Sequence, residues 1–425
     1  MNLYGSIIST PNLRFDYSST YANHSNPRQG LKRFGPYDSN LFNKSEINTG
    51  IIYLNSTRNR KYLIDGLLKG ENYFDGFQKL FRIPIIFKEE RSIINETERE
   101  IKVAIETLLN RDLDIVYILL NSIVYILLNS HKTPIYSFIK TILLANGIPS
   151  QVVIDEKLQN PKQRPWILEN IALATYAKVG GTPWVIANPI SKNQLILGVS
   201  RAQDKNKKYL VGFVTLFTHD GDFLLMHSKA PVIDWDNYVK GLESLISEAI
   251  DEYEKRQGKP EEIIVHFHKR PGYRELESIN NALKNSNSQI PYALLHVNEY
   301  SNFRLFDTSH RTYIPESGLK VDISKHESIL LIDGRIGNER KKVGVPRVLD
   351  IIMDKRSTLP INNFPDLVKQ ISDFSRINWR GFNAAAIPVT LNYSKLIARL
   401  ISEIGAENWN QIVASGKLRD KSWFL

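Results

Sequence analysis

The chain of 425 residues contains no cysteine. Disulfides, thiolate metal sites and a cysteine nucleophile are thereby excluded. A basic N-terminal segment followed by an apolar core is also lacking in "MNLYGSIISTPNLRFDYSST". No signal peptide is therefore expected, and the expected location is the cytoplasm. A membrane-length apolar run is missing too. The most hydrophobic stretch, "IVYILLNSIVYILLNS" at 115–130, is one eight-residue segment repeated. Asn121, Ser122, Asn129 and Ser130 interrupt it, whereas a helix needs about 20 largely apolar residues to cross a bilayer. Its Ile, Val, Tyr and Leu runs are strand-like, punctuated by Asn-Ser. One copy is expected to form a buried central strand, with no direct membrane insertion.

Hydrophobic residues make up 42% of the chain and charged residues 24%, the balance of a soluble globular protein. The length leaves room for two domains, each with its own core. Lys and Arg number 55 against 45 Asp and Glu, a net charge of +10. That excess suits a polyanionic partner, and equally a basic surface kept for solubility. Local motifs must separate the two.

Residues 1–40 are polar and rich in Asn, Ser, Pro and Gly. "SEINTGIIYL" and "LFRIPIIFKEE" are strand-like at their apolar cores, and "ETEREIKVAIETLLNR" (96–111) places Ile101, Ala104, Ile105 and Leu108 at helical spacing. After the repeat come the helix "TPIYSFIKTILLANG", opened by Thr-Pro and closed by Gly147, the strand "SQVVID" and the helix "WILENIALATYAKVGG". Strands alternating with helices predict a parallel-sheet domain over 41–190. Beyond it, "QLILGVSRA", "KKYLVGFVTLFT" and "FLLMHSKAPVI" form a meander with the turn "HDGD". A helix over 237–256, the strand "EEIIVHFHK", a helix over 273–284 and the strand "PYALLHV" complete the element order of an RNase H-like domain over 191–425.

Four side chains between the repeat and residue 180 could hold a nucleotide. Tyr136 and Lys140 share a helix face, Gln151 opens the next strand, and Lys178 closes the following helix before "GGTPW". A ring can stack on a base while ammonium groups neutralise a phosphate. Taken singly, each has a plainer reading, as a half-buried core tyrosine or a solvated lysine.

Together, "IYSFIKTILLANGIPSQVV" and "ENIALATYAKVGGTPW" resemble the MID domain of Argonaute/Piwi proteins, most closely the short prokaryotic branch. "GLKRFGPYD" near the start and "PVTLNYSKLIARL" near the end carry the same resemblance. It implies an α/β protein with a Rossmann-like MID domain, an RNase H-like PIWI domain and no PAZ domain, residues 1–40 packing on the PIWI domain. It further implies that Tyr136 stacks on the first base of a guide strand, while Lys140, Gln151 and Lys178 grip its 5′-phosphate. Asn170 would contact the guide backbone. The carboxylate of Leu425, ending "KSWFL" and with Gln151 nearby, would hold a Mg²⁺ against that phosphate. A terminal carboxylate repels a phosphate unless a cation bridges them.

An active PIWI domain needs carboxylates to hold two divalent ions on the scissile phosphate. Here "LGVSRA" puts Ser200 where the first Asp belongs, "VHFHKR" puts His268 at a later position, and "NYSKLIA" puts Lys395 at the last. A hydroxyl and an ammonium cannot replace two carboxylates. The Glu of the set is not placed by the sequence. His266 shares a strand face with His268, and with His219 or Asp220 a metal site is imaginable, although a His-x-His strand is more often structural. Arg201, Lys269, Arg270 and Arg380 are candidate phosphate contacts.

The resemblance implies a catalytically inactive protein that binds a guide RNA, or DNA, and a complementary target DNA or RNA. It also implies an effector-bearing partner protein encoded nearby, acting in defence against viruses or plasmids. The alternative is a divergent PIWI endonuclease using non-standard metal ligands.

Overall fold

The computed structural model describes residues 3–57, 59–121, 134–191, 193–203, 208–268, 271–285, 290–332 and 346–425. The chain divides into two compact units: Arg14–Trp184 with Trp379–Gly381 and Arg399–Leu425, and Met1–Leu13 with Val185–Asn378 and Phe382–Ala398. The division near 184 lies close to the expected one at 190, but the units are not linear. Residues 14–40 and 399–425 cluster with the 41–184 region rather than with the RNase H-like unit.

In the unit built on Arg14–Trp184, four strands lie in the order Ile85–Ile93, Ile47–Leu54, Ile115–Leu120, Ser150–Ile154. All three pairings are parallel, as a Rossmann-like layout requires. Ile115–Leu120, the first copy of the repeat, is an inner strand buried at every residue. An inner parallel strand is covered on both faces and so reads as a continuous apolar run. Residues 123–130, the second copy, lie outside the described residues.

The helix Glu98–Leu109 turns Ile101, Ala104, Ile105 and Leu108 into the core. The Thr97 hydroxyl accepts from Glu100 N and caps it, and the Glu100 carboxylate accepts from the amides of Ile94 and Asn95. The apolar core of "LFRIPIIFKEE" is strand from Ile85, as expected, while Phe77–Phe81 before it is helical and closed by Arg82 in the left-handed region.

Among the described residues of the other unit, nine strands form one sheet. Phe223–Ser228, Leu210–Phe217 and Gln194–Gln203 make the antiparallel meander. Glu262–His268 then adds parallel to Gln194–Gln203, and Tyr292–Asn298 parallel to Glu262–His268. Numbered along the chain, these five lie in the order 3-2-1-4-5, which is the RNase H-like arrangement. Val348–Met353, Glu327–Leu331, Leu319–Ser324 and the short Gly5–Ile7 continue it antiparallel. The helix Trp235–Gln257 presents Tyr238, Leu242, Leu245, Ile246, Ala249 and Tyr253 to one face. Their three- and four-residue spacing makes the apolar stripe that buries a helix.

Candidate nucleic-acid interface

The helix Pro134–Ala145 positions the pocket. Ile139, Lys140, Leu143 and Leu144 share one face and are all buried, so the fold carries a lysine into the apolar layer. Lys178 is the last residue of Arg164–Lys178, a helix buried on nearly all sides, where a cation also suits the helix dipole. Gly180 follows in the left-handed region at φ +105, a conformation open to glycine without strain.

These elements converge on the start of Ser150–Ile154. Lys140 Nζ donates to the Ser150 carbonyl oxygen at 3.1 Å and Lys178 Nζ to the same oxygen at 3.0 Å. Lys178 Nζ also donates to Gln151 Oε1 at 2.6 Å. Tyr136 is half-buried against the core, its ring centroid 5.7 Å from Lys140 Nζ. Four residues from three successive elements are thus brought into one cluster.

Its electrostatics are those of two buried amines close together. Lys140 and Lys178 are 5% and 2% exposed. Burial pushes Lys140 down to about 8. Burial, the neighbouring Lys140 charge and Arg380 push Lys178 well below the usual lysine range. Buried like charges disfavour each other's charged form, and an anion between them reverses the effect.

Arg380 was legible only as a general phosphate contact; here its charge acts on Lys178, and it is exposed. Beside it, Asn170 Oδ1 lies 3.4 Å from where a Cβ on Gly381 would stand. The C-terminal tail belongs to the same unit. Lys421 lies against Gly180 and Lys417 against Gly147. Trp423 is buried beside Trp409 at 6.1 Å between ring centroids, and Leu425 is half-buried.

On the nine-stranded sheet the other candidates share a face. Val199 and Phe267 point into the core and pair in register. Gly198, Ser200, His266 and His268 therefore point the opposite way. A Cβ on Gly198 would stand 2.5 Å from Thr215 Oγ1 and 2.5 Å from the Thr390 carbonyl oxygen. Only glycine admits that close approach. His266 is fully buried, bonded through Nδ1 to Thr390 Oγ1 at 2.8 Å and pushed down to about 3 by burial. It is packed as a core histidine.

His268 and Lys395 meet on a residue the sequence did not single out. Glu299, just past Tyr292–Asn298, takes Lys395 Nζ at 2.6 and 2.7 Å on its two oxygens and lies 3.3 Å from His268 Nε2. The hydrogen bond from His268, then those from Lys395, hold its carboxyl down to about 2. Nothing in the "VNEYSN" stretch marks Glu299, since its partners are 31 and 96 residues away. Arg201 pairs with buried Glu275 at 3.0 Å and lies over the Trp235 ring. Lys269 and Arg270 lie outside the described residues. Among the described residues, no group of three or more metal-ligating side chains is placed to hold an ion. No described helix is long and apolar enough to cross a membrane.

A parallel-sheet unit with a buried cationic pocket and an RNase H-like sheet define the Argonaute and Piwi class of architecture. The Piwi domain profile matches residues 122–405, and the chain belongs to that family. It is 27% identical over 316 residues to the Piwi protein of Archaeoglobus fulgidus, covering 69% of this chain and 73% of that protein. It is 24% identical over 443 residues to protein argonaute of Cereibacter sphaeroides, covering 93% of this chain and 56% of that one. The crystal structure of Drosophila Piwi superposes with a TM-score of 0.74 at 15% identity, over 99% of this chain and 56% of that one. Clostridium butyricum Argonaute, bound to a guide DNA and a 19-mer target DNA, gives 0.72 at 16% over 95% and 53%. At such identities the superpositions establish the fold. The chain spans about half the length of these argonautes.

Proposed function

We propose that this protein binds the 5′-phosphate end of a guide strand and uses the guide to recognise complementary nucleic acid. The observation that carries the reading is the pair of buried ammonium groups on one carbonyl oxygen, with Gln151 and Tyr136 beside them. A terminal phosphate offers the negative charge this cluster calls for, and the Tyr136 ring offers a stacking face for the adjoining base. Asn170 and Arg380 extend the polar surface towards the guide backbone.

A Mg²⁺ belongs to the proposal. Two ammonium groups disfavour a divalent cation on their own, so the ion fits only together with the phosphate. The Leu425 carboxylate, carried on a tail anchored by Trp423, is the chain's own oxygen donor for it. When bound, the ion offsets the repulsion between that carboxylate and the phosphate.

The guide is RNA and the target DNA in this reading. Ser200, His268 and Lys395, at the positions where carboxylates would hold metal, leave the protein a recognition module rather than a nuclease. Base pairing then reads sequence while the protein reads duplex shape. Target capture shifts the population of a state that releases an effector-bearing partner in defence against viruses or plasmids.

The test compares one short RNA with and without its 5′-phosphate on the wild type and on Lys140→Ala/Lys178→Ala, in Mg²⁺. Loss of two charged contacts should weaken the phosphorylated RNA by about 2–4 kcal/mol and leave the other unchanged. Equal binding of both RNAs by the wild type would reduce the basic surface to a general polyanion attraction. Cleavage of a guided target would instead favour a divergent nuclease.

A further inference from the structure

One motif near the start of the chain has no part in the phosphate pocket as described. "GLKRFGPYD" ends in Asp38, and the Asp38 carboxylate reaches both sides of the turn that follows Lys178. Its Oδ1 accepts from the Tyr176 hydroxyl at 2.6 Å, and its Oδ2 accepts from the Thr182 amide at 2.9 Å. Tyr176 and Thr182 flank Lys178, Val179, Gly180 and Gly181, so one side chain clamps the segment at its two ends. The backbone runs alongside. Tyr37 N donates to the Pro183 carbonyl oxygen at 3.0 Å, and Asp38 N to that of Thr182 at 3.4 Å.

The clamped segment needs holding. Lys178 is the last helical residue, and successive glycines are the freest backbone a chain can have. A loose helix end would let Lys178 Nζ drift from the Ser150 carbonyl oxygen and Gln151 Oε1, which it meets at 3.0 and 2.6 Å. The Tyr176 ring covers Gly181 so closely that a Cβ there would stand 2.3 Å from a ring carbon. That ring is packed in turn on Phe81 at 4.6 Å and Phe42 at 5.1 Å between centroids. The carboxylate is a costly clamp. Burial pushes Asp38 up to about 6, opposed in part by the Tyr176 hydroxyl and backbone amides. A carboxyl whose pKa rises on folding loses stability as pH climbs past its unfolded value. At neutral pH the ionised Asp38 therefore disfavours the folded chain, and its use lies in the geometry it imposes.

We infer that Asp38 is a positioning residue for the phosphate pocket: through Tyr176 and Thr182 it fixes the turn that aims Lys178 at its anion. This role rests on the guide-binding reading of the pocket.

The experiment binds one short RNA, with and without its 5′-phosphate, to the full chain in Mg²⁺ and takes the ratio of the two affinities. Tyr176→Phe removes the hydroxyl and keeps the ring on Gly181, Phe81 and Phe42. It should lower the ratio about tenfold, the worth of one charged hydrogen bond, and leave the unphosphorylated RNA unchanged. Asp38→Asn should lower the ratio likewise while melting no lower than the wild type at neutral pH, because it removes a buried charge. A purely structural residue would lower the melting temperature and leave the ratio alone. On a Lys178→Ala background, where the aimed group is gone, Tyr176→Phe should lower the ratio no further. A wild-type ratio in Tyr176→Phe overturns the role, and so does a further fall on the Lys178→Ala background. Should Asp38→Asn fail to fold, Tyr176→Phe decides by itself. A wild type indifferent to the 5′-phosphate would overturn the guide-binding reading and this role with it, a failure visible before any variant is compared.

Discussion

Lys140 and Lys178 donate to one acceptor, the Ser150 carbonyl oxygen, at 3.1 and 3.0 Å. Two cations on one oxygen in a buried site is a charge imbalance, and its response to pH follows. Lys140 is pushed down to about 8 and Lys178 well below its usual range. A phosphate favours the protonated form of both, so its binding takes up protons. Raising pH through about 8 strips the Lys140 proton from the free protein and must weaken binding. Below about 6 the phosphate itself loses charge. Preference for a 5′-phosphorylated RNA should therefore be greatest between these limits. Calorimetry in buffers of different ionisation enthalpy should show net proton uptake near neutral pH. Binding that is flat from pH 7 to 9, with no proton uptake, would remove the lysines from the phosphate site.

Arg380 acts on Lys178 from an exposed position. An exposed cation is screened by solvent and salt, so its share is smaller than that of the buried pair. Arg380→Ala should weaken the 5′-phosphorylated RNA about fivefold, roughly 1 kcal/mol, with the loss shrinking at higher salt. It should also ease the neighbouring charge and leave the melting temperature unchanged or slightly raised. A loss as large as that of Lys178→Ala would mean that Arg380 touches the phosphate directly.

The pocket was legible because its chemistry is local: Tyr136 and Lys140 sit one turn apart, and Lys178 ends the helix just before Gly180. The parallel sheet and the meander were legible from apolar runs and turn residues. Glu299 was not. Its role depends on Lys395 and His268, brought to it only when strands 262–268 and 292–298 pair in parallel. The pairing of Arg201 was hidden too: its partner, Glu275, lies 74 residues away on the helix Tyr273–Asn285, and nothing near Arg201 in sequence announces a buried carboxylate. The helical Phe77–Phe81 was lost in an apolar stretch too short for periodicity to distinguish helix from strand.

Gly198 tests how the RNase H-like sheet accommodates the helix above it. A methyl group there would stand 2.5 Å from the Thr390 carbonyl oxygen, and backbone cannot swing aside as a side chain can. Gly198→Ala should destabilise its unit by about 1–3 kcal/mol, the usual cost of overpacking, as measured by chemical denaturation. The same methyl at Gly258, where nothing lies within 4 Å, meets only the strain of φ +82. A Gly198→Ala variant as stable as the wild type would mean that Thr390 and its helix move away freely.

The tail separates packing from charge. Trp423 is buried against Trp409, so Trp423→Ala should cost about 3–5 kcal/mol as a large core truncation and lower the melting temperature. Adding a single glycine after Leu425 leaves Trp423 and Phe424 in place but moves the terminal carboxylate beyond its present reach. The extended chain should melt like the wild type. Its preference for the 5′-phosphate should no longer respond to Mg²⁺, whereas the wild type should lose affinity when the ion is chelated. If both chains respond to chelation alike, the ion is not held by Leu425. If neither responds, the lysines alone neutralise the phosphate, and the tail serves only to close the core beside the pocket helix.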